Sequence, residues 1–241
     1  MKNFDQILKK RDILIFLDFE GTQFSHEIIA AGFVKVKIDR SGGFIEEPQY
    51  FKRYVKCYGR IGKIVTDMTS IDENLLKDQG IPMENFLSDL DEFIGENYSR
   101  CAFITFGSND MKMMLDSIRY SRPSNEKIGY DICKNAVDFQ SFISQYIRDE
   151  KGNPYSLVNY IKLFGKEPCG KVHDPLNDAI DLMTLYRCFF EEKDRVVLEY
   201  TKVLANLKIL PQPIRKVVQQ LNRNQTVTPE YFFDEIRKYF E

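Results

Sequence analysis

The chain has 241 residues, of which 43% are hydrophobic and 29% charged, with a formal net charge of −2. This composition is that of a globular protein, and no apolar run approaches the ~20 residues that cross a bilayer, so we expect a soluble protein without a membrane partner. The near-neutral charge excludes a strongly basic, non-specific nucleic-acid binder. Five scattered cysteines argue against a disulfide framework or zinc site, and without a secretory signal we expect a cytoplasmic location.

The first predicted element is a buried strand, the apolar run 13–17, which ends in two carboxylates, Asp18 and Glu20. Because side chains alternate along a strand, both acids project from the same face. Buried paired anions require a positive partner, yet the sequence between residues 12 and 34 contains no lysine or arginine. The pair therefore suits a hard divalent cation such as Mg²⁺ or Mn²⁺, whereas hydration of both acids at the strand end is the simpler alternative.

The elements that follow predict an α/β layered domain with helices on both faces. Alternating residues at 27–39 and 49–57 predict two more strands, which form an antiparallel meander with the first. Beyond residue 192 we expect two or three short amphipathic helices, the last capped by Thr228 and opened by Pro229. The other predicted elements are helices at 71–80, 81–96, 107–120, 138–148 and 154–164, a strand at 101–106, and a helix from residue 175.

Three further residues lie where an active site could form. Asp110 follows the strand at 101–106, near the strand end at which open α/β sheets bind ligands, although the helix dipole alone also favours an acid there. The Asp-Pro pair at 174–175 is a strong helix start, which places Asp178 one turn into that helix and His173 just before it. Each of these residues alone is more often a solvated surface residue.

Together the acids and the histidine follow the order D-x-E, then Asp, then H-x-x-x-x-D, and in this order the sequence resembles the DEDDh (DnaQ-like) family of 3′–5′ exonucleases. The stretch "FITFGSNDMKMML" is similar to the W-G-x-x-D motif of the branch that trims histone-message and small-RNA ends, with Phe106 in place of tryptophan. "KIVTDMTSID" resembles the T-x-L-T-G-I segment of that branch, with Met68 for leucine and Ser70 for glycine. "VHDPLNDAIDLMTLY" fits the third motif.

The resemblance implies a ribonuclease H-like fold over residues 1–192, with a mixed five-stranded sheet, an antiparallel three-strand meander and flanking helices. Residues 193–241 would then form a C-terminal helical extension, which we expect to mediate self-association or to bind a protein partner. The resemblance further implies two divalent ions, Mg²⁺ or Mn²⁺. Their implied ligands are Asp18, Glu20, Asp110 and Asp178, the implied general base is His173, and the implied substrate contacts are Gly21, Thr22, Met68 and Phe106.

The implied activity is removal of nucleotides one at a time from the 3′ end of single-stranded nucleic acid, with RNA preferred over DNA. Two alternatives stay open: a DNA-directed, proofreading-type exonuclease, and a non-catalytic module that binds partners through its C-terminal helices. The weak basic balance suits single-stranded ends. Basic residues of the second and third strands either form a local cationic face or solvate the strand edges: Lys35, Lys37, Lys52, Arg53 and Lys56.

Overall fold

The structure is a computed structural model that describes residues 8, 11–39, 42–207 and 209–240. The chain divides into two compact units. The first, which we call the sheet unit, is built from Met1–Ser141 and Leu157–Cys188, and the second, the helical unit, is built from Phe142–Ser156 and Phe189–Glu241. Among the described residues, no helix has both the length and the apolar character needed to cross a membrane.

The sheet unit contains a mixed sheet with the strand order β4-β3-β2-β1-β5-β6. The first three strands pair in antiparallel fashion, which confirms the predicted meander, and the other three neighbouring pairs are parallel. The strands are β1 (Ile13–Gly21), β2 (Ile28–Lys37), β3 (Gln49–Val55), β4 (Gly80–Ile81), β5 (Cys101–Thr105) and β6 (Ala136–Asp138).

The described helices range from five residues in α6 to 17 in α8, and a 3₁₀ turn over Tyr98–Arg100 precedes β5. The ranges are α1 (Lys63–Thr69), α2 (Glu73–Gln79), α3 (Met83–Ile94), α4 (Asn109–Ser121), α5 (Lys127–Lys134), α6 (Phe139–Ile143), α7 (Leu157–Leu163), α8 (Pro175–Glu191), α9 (Lys193–Asn206), α10 (Gln212–Asn222) and α11 (Pro229–Phe240).

Strand β1 is buried on both faces, which explains its unbroken apolar run. Ile15 and Leu17 belong to one core cluster, which also contains Phe86 of α3. Phe16 points to the opposite face, where its ring meets Tyr186 of α8 edge to face at 5.4 Å between centroids. Helices therefore cover both faces of the sheet, as predicted, and β1 lies at its centre.

The helical unit carries its own aromatic contacts. The ring of Tyr146 lies 5.4 Å from Phe142, 5.7 Å from Phe189 and 5.3 Å from Tyr200. The last helix begins as predicted, because the amide of Tyr231 donates to Thr228 Oγ1 over 3.2 Å. Three helices, α9, α10 and α11, are present in the tail, where two or three were predicted.

Two predictions about secondary structure were wrong in detail. The described sheet has six strands rather than five, because β4 is only two residues long and β6 three, too short for an alternating pattern to be read. The helix predicted over 138–148 ends at Ile143 in α6. Beyond it, tight turns follow, with the amide of Tyr146 donating to the Ile143 carbonyl over 2.9 Å, and Gly152 bends the chain with a φ of 84°.

Candidate active site

The site begins at the carboxyl end of β1. This strand pairs with β5 only over residues 13–16, so its later part has no strand partner on that side among the described residues. The amide of Phe19 instead donates to Asp110 Oδ1 over 3.0 Å. Asp110 lies in the first turn of α4 and is only 6% exposed, so this bond satisfies a buried oxygen. It also fixes Asp110 beside the strand segment that carries Asp18 and Glu20.

The start of α8 lies directly against the backbone of β2. Asp18 pairs with Gly32 across the sheet, and a Cβ on Gly32 would lie 2.2 Å from the carbonyl carbon of Pro175. Only glycine permits this approach. Asp174 caps the helix, with Oδ1 accepting a first-turn amide over 3.1 Å, and Pro175 is the first helical residue, which confirms the predicted helix start. The close packing brings Asp178 into electrostatic contact with Asp18.

His173 immediately precedes this cap in a left-handed backbone conformation, with a φ of 63°. Its amide donates to Asp178 Oδ2 over 3.2 Å, and its imidazole Nδ1 lies 3.6 Å from Glu20 Oε1. Among the described residues, Glu20, His173 and Asp178 form a group whose ligand atoms all lie within 4.8 Å of one another. The structure therefore brings together the acid of β1, the histidine and the acid of α8.

Burial raises the pKa of all four carboxyl groups, and repulsion from neighbouring carboxylates adds to each shift. Burial, followed by repulsion from Asp110 and Asp178, holds the pKa of Asp18 well above its usual range. Burial raises the pKa of Glu20 to about 8 and that of Asp110 to about 7, although the Phe19 amide opposes the second shift. Burial also raises the pKa of Asp178 to about 6. Near neutral pH the cluster therefore needs either protons or a cation.

The chemistry of these donors fits a hard divalent cation. The described group offers carboxylate oxygens and one imidazole nitrogen, and it contains no thiolate that would select a softer metal. Repulsion between the carboxylates contributes to their raised pKa values. A bound cation would attract the carboxylates and so offset this repulsion. The nearby Lys52 does not fill this role for the four carboxylates, because its ammonium pairs with a different one, Asp174.

Asp174 is a fifth carboxylate of the cluster that sequence reasoning treated only as a helix cap. Its charge contributes to the raised pKa of Asp18, Glu20 and Asp178. Its two oxygens have separate partners, since Oδ1 caps α8 and Oδ2 pairs with Lys52 of β3. No local signal links residue 52 to residue 174, because the contact depends on the sheet and helix packing together.

The predicted substrate contacts divide into exposed and enclosed residues. Met68, on α1, is 46% exposed and available to a ligand. Phe106 follows β5 and packs its ring edge to face against Tyr160 at 6.0 Å. At Gly21, a Cβ would lie 2.9 Å from the Met113 sulfur, so the close neighbour visible there is a side chain of α4.

Thr22 is 2% exposed, and its hydroxyl serves the loop between β1 and β2. It accepts the amide of Glu27 over 3.0 Å and shares a hydrogen bond with the Ser25 hydroxyl. Glu27 is itself buried and accepts the amides of Tyr58 and Gly59 over 2.7 and 2.8 Å. This buried carboxylate connects the loop after β1 to the loop after β3. In the sequence, the only sign of this role is an acid directly before an apolar strand.

The basic residues of β2 and β3 are mostly engaged with protein groups. Their engagement argues against a free cationic face on these strands. The described pairs are Lys35 with the carbonyl oxygens of Phe93 and Ile94, Lys37 with Glu46, Lys52 with Asp174, and Arg53 with Asp89.

Comparison with known proteins identifies the fold. No protein-family model and no curated protein matches the sequence. Solved structures do match, and one of them is the nuclease domain of 3′hExo, a DEDDh family member bound to rAMP, at 17% identity and a TM-score of 0.61, covering 78% of this chain and 94% of that one. A full-length 3′-exonuclease matches at 16% identity and a TM-score of 0.59, covering 76% of this chain and 62% of that one.

Exonuclease I of E. coli, in complex with a dT13 oligonucleotide, matches at 15% identity and a TM-score of 0.57, covering 86% of this chain. The chain spans 62% of the full-length 3′-exonuclease and 46% of exonuclease I. The fold is thus the one shared by DEDDh-type 3′-exonucleases, which confirms the ribonuclease H-like architecture expected from the sequence.

Proposed function

We propose that the protein is a metal-dependent 3′–5′ exonuclease that removes nucleotides one at a time from single-stranded nucleic acid. The observation that carries this proposal is the convergence of Asp18, Glu20, Asp110 and Asp178 with His173 at one end of β1. Buried carboxylates that repel one another are costly to a fold, and their pKa shifts mark functional sites more often than structural ones. The fold shared with 3′-exonucleases supports the same conclusion.

The cofactors of this proposal are two divalent ions, Mg²⁺ or Mn²⁺, held by the four carboxylates. Such a pair, when bound, activates a water for attack on phosphorus and stabilises the leaving 3′ oxygen. The chain contributes the placement of the ligands. Asp110 is oriented by the Phe19 amide and Asp178 by the His173 amide.

His173 is the proposed general base. Its side chain is 41% exposed, and Nδ1 faces the Glu20 carboxylate at 3.6 Å, which leaves Nε2 to accept a proton from the attacking water. The water oxygen bonds to phosphorus as His173 takes its proton, and the bond from phosphorus to the 3′ oxygen of the preceding nucleotide breaks. That oxygen takes a proton from solvent, and His173 returns its proton to solvent. The products are a nucleoside 5′-monophosphate and a strand one nucleotide shorter.

RNA is the polymer we propose, with Met68 packed on the terminal base and Phe106 in the substrate pocket. Gly21 and Thr22 would contribute the backbone that approaches the terminal nucleotide, since the Thr22 side chain is buried. One matching structure is described as 3′-end recognition of a histone mRNA stem-loop by a 3′-exonuclease, and the 3′hExo domain holds rAMP. The dT13 complex of exonuclease I makes DNA the second candidate.

The proposed catalytic domain spans residues 1–192, and the proposed role of residues 193–241 is self-association or binding of a protein partner. The cytoplasm is the proposed location. Exposed apolar side chains in the helical unit support a role in association: Val197, Ile209, Leu221, Phe233 and Phe240.

The activity is tested with 5′-labelled single-stranded RNA and matched DNA, incubated with Mg²⁺, with Mn²⁺ or with chelator. The expected result is a ladder that shortens by one nucleotide at a time, faster on RNA, and absent with chelator and in Asp18→Asn. The exposed Asp194→Asn variant is the matched control and retains activity. Absence of cleavage by folded wild-type protein with either metal contradicts the proposal.

A further inference from the structure

A hydrogen-bonded bridge joins α1 to the segment that carries His173. Lys171 Nζ donates to Ser70 Oγ over 2.7 Å, and the same nitrogen lies 3.4 Å from the carbonyl oxygen of Thr69. The two partners are 101 residues apart in sequence, so this contact links two separate parts of the sheet unit. Ser70 is the residue at which α1 ends.

On one side of the bridge, the segment before α8 is held firmly to that helix. The amide of Cys169 donates to Asp181 Oδ1 over 2.8 Å, and Asn177 Nδ2 donates to the carbonyl of Lys171 over 3.2 Å. His173 follows two residues later and is bound through its amide to Asp178. The Lys171 ammonium therefore belongs to a segment that is hydrogen-bonded to α8 and that carries His173.

On the other side, the bridge reaches the end of a helix that exposes Met68. Met68 lies two residues before Ser70, and the amide of Ser70 donates to Thr66 O over 2.9 Å, so the helical turn between them is closed. The hydroxyl of Thr69 accepts the amide of Ile71 over 3.0 Å and fixes the chain just beyond. The position of Ser70 thus sets the position of Met68.

Ser70 itself adopts a left-handed conformation, with a φ of 65°, which costs a residue with a Cβ about 1 kcal/mol relative to glycine. Glycine would end α1 without this cost, but it would have no hydroxyl for Lys171. Both partners are exposed, and an exposed hydrogen bond of this kind adds little to the stability of the fold. The bridge therefore carries a local conformational cost and adds little to the stability of the fold.

We propose that the Lys171–Ser70 bridge is a clasp that holds Met68 and His173 at a fixed separation on the two sides of the 3′-terminal nucleotide. The inference rests on the proposed function and deepens it, since it adds Lys171 and Ser70 as positioning residues of the same site. Holding the terminal base and the general base in register places the last phosphodiester bond for attack, and small displacements of a reacting group lower the rate strongly.

Two variants open the clasp without disturbing the fold. Lys171→Met removes the ammonium, and Ser70→Gly removes the hydroxyl at a position where glycine is unstrained. Each is expected to lower kcat/KM on single-stranded RNA about tenfold and to weaken the binding of a nucleoside 5′-monophosphate, measured by calorimetry with Mg²⁺, to a similar extent. The melting temperature is expected not to fall in either variant, and to rise slightly in Ser70→Gly, where the strain of the left-handed conformation is relieved.

Three further variants separate a clasp from a general surface effect. Lys171→Arg keeps a donor to Ser70 and should restore most of the activity, and the double variant of Ser70→Gly with Lys171→Met should be no worse than either single variant. Lys134→Met, an exposed lysine on α5, should behave as wild type.

The inference would be overturned if both clasp variants had wild-type kinetics and nucleotide binding. It would also be overturned if the losses in the double variant were additive. Neither result would contradict the exonuclease activity. A lowered melting temperature with a matching loss of activity would overturn it in favour of a structural role. An inactive wild-type protein would overturn the proposed function itself, so the two failures are distinguishable.

Discussion

At the scale of single residues, the acids of the site destabilise the fold when no cation is bound. The four acids are at least partly buried and lie close together, and the pKa of each is raised: Asp18, Glu20, Asp110 and Asp178. Below their raised pKa values, these groups in the folded chain keep protons that an unfolded chain has already released. The stability of the protein should therefore report directly on the state of the site.

We expect the melting temperature in chelator to fall as the pH rises from about 5 to about 8. The pKa of Glu20, about 8, and that of Asp110, about 7, lie above their unfolded values, so the folded state binds more protons in this window and loses stability as they dissociate. Mg²⁺ or Mn²⁺ should suppress the fall, because a cation replaces the protons. Thermal melts across this pH range measure both effects.

The matched variant for this measurement is Glu20→Gln, which removes one titrating group and should flatten the dependence on pH. A melting temperature that rises through the same window in chelator, or one that is insensitive to both pH and divalent cations, would contradict the electrostatic account of the site.

Gly32 is the residue on which the placement of α8 depends. A Cβ there would lie 2.2 Å from the Pro175 backbone, so we expect Gly32→Ala to lower the free energy of unfolding by about 2 kcal/mol or more and to displace Asp178. Urea denaturation gives the first quantity, and loss of stabilisation by Mn²⁺ reports the second. Gly152→Ala is the control, since Gly152 has no atom near its Cβ position and only its φ of 84° opposes the change, at about 1 kcal/mol. Equal costs for the two substitutions would argue against close packing at Gly32.

At the scale of elements, the loop between β1 and β2 is organised by one buried carboxylate. Glu27 Oε2 accepts the Ser25 hydroxyl over 2.6 Å, and its two oxygens also accept the amides of Tyr58 and Gly59. This loop follows Gly21 directly, so its order bears on the proposed substrate side of the site.

We expect Glu27→Ala to destabilise the fold by about 2 kcal/mol, because it leaves backbone amides without acceptors. Glu27→Gln keeps one carbonyl oxygen and should cost less. Chemical denaturation compares the two variants, and limited proteolysis near residues 58–60 should be faster in the alanine variant. Equal stability of wild type and Glu27→Ala would show that the loops hold together without this carboxylate.

The elements also show how much the sequence could predict. The apolar run of β1, the alternation of β2 and β3 and the caps at Asp174 and Thr228 are local signals, and each was confirmed. β6 is too short to carry a pattern, and its existence depends on pairing with β5. The pairs Lys52–Asp174 and Ser70–Lys171 join residues more than 100 positions apart, so no local pattern could reveal them.

The candidate site follows the same division. The five residues could be identified from the sequence because each lies beside a strong helix or strand signal. Their order along the chain resembles that of a known family, which assigned their roles. The close approach at Gly32 and the network around Glu27 could not be predicted, because they depend on how distant elements pack. The assignment of ligands and base stays a prediction until the metal is observed.

At the scale of the whole molecule, the helical unit is the part whose role is open to direct test. Exposed apolar side chains there include Phe233 at 58% and Phe240 at 82% exposure, more than a solvated helix needs. Deletion of residues 193–241 is expected to abolish self-association, measured by light scattering, and to lower the melting temperature because Tyr146 loses the ring of Tyr200.

The shortened chain should keep metal-dependent hydrolysis, since the proposed ligands all precede the deletion. Retention of the oligomeric state after deletion would remove the proposed role in self-association, and capture experiments with the full chain would then address a protein partner.

The central claim is that the carboxylate cluster is a metal centre. The most direct test is a calorimetric titration of the protein with Mn²⁺ in the presence of a nucleoside 5′-monophosphate. We expect two ions to bind per wild-type chain. This binding should be lost in Asp18→Asn and Asp178→Asn and kept in the exposed control Asp194→Asn. Binding that is absent in the wild type, or unchanged in the Asp18 and Asp178 variants, would contradict the assignment of this carboxylate cluster as the metal centre.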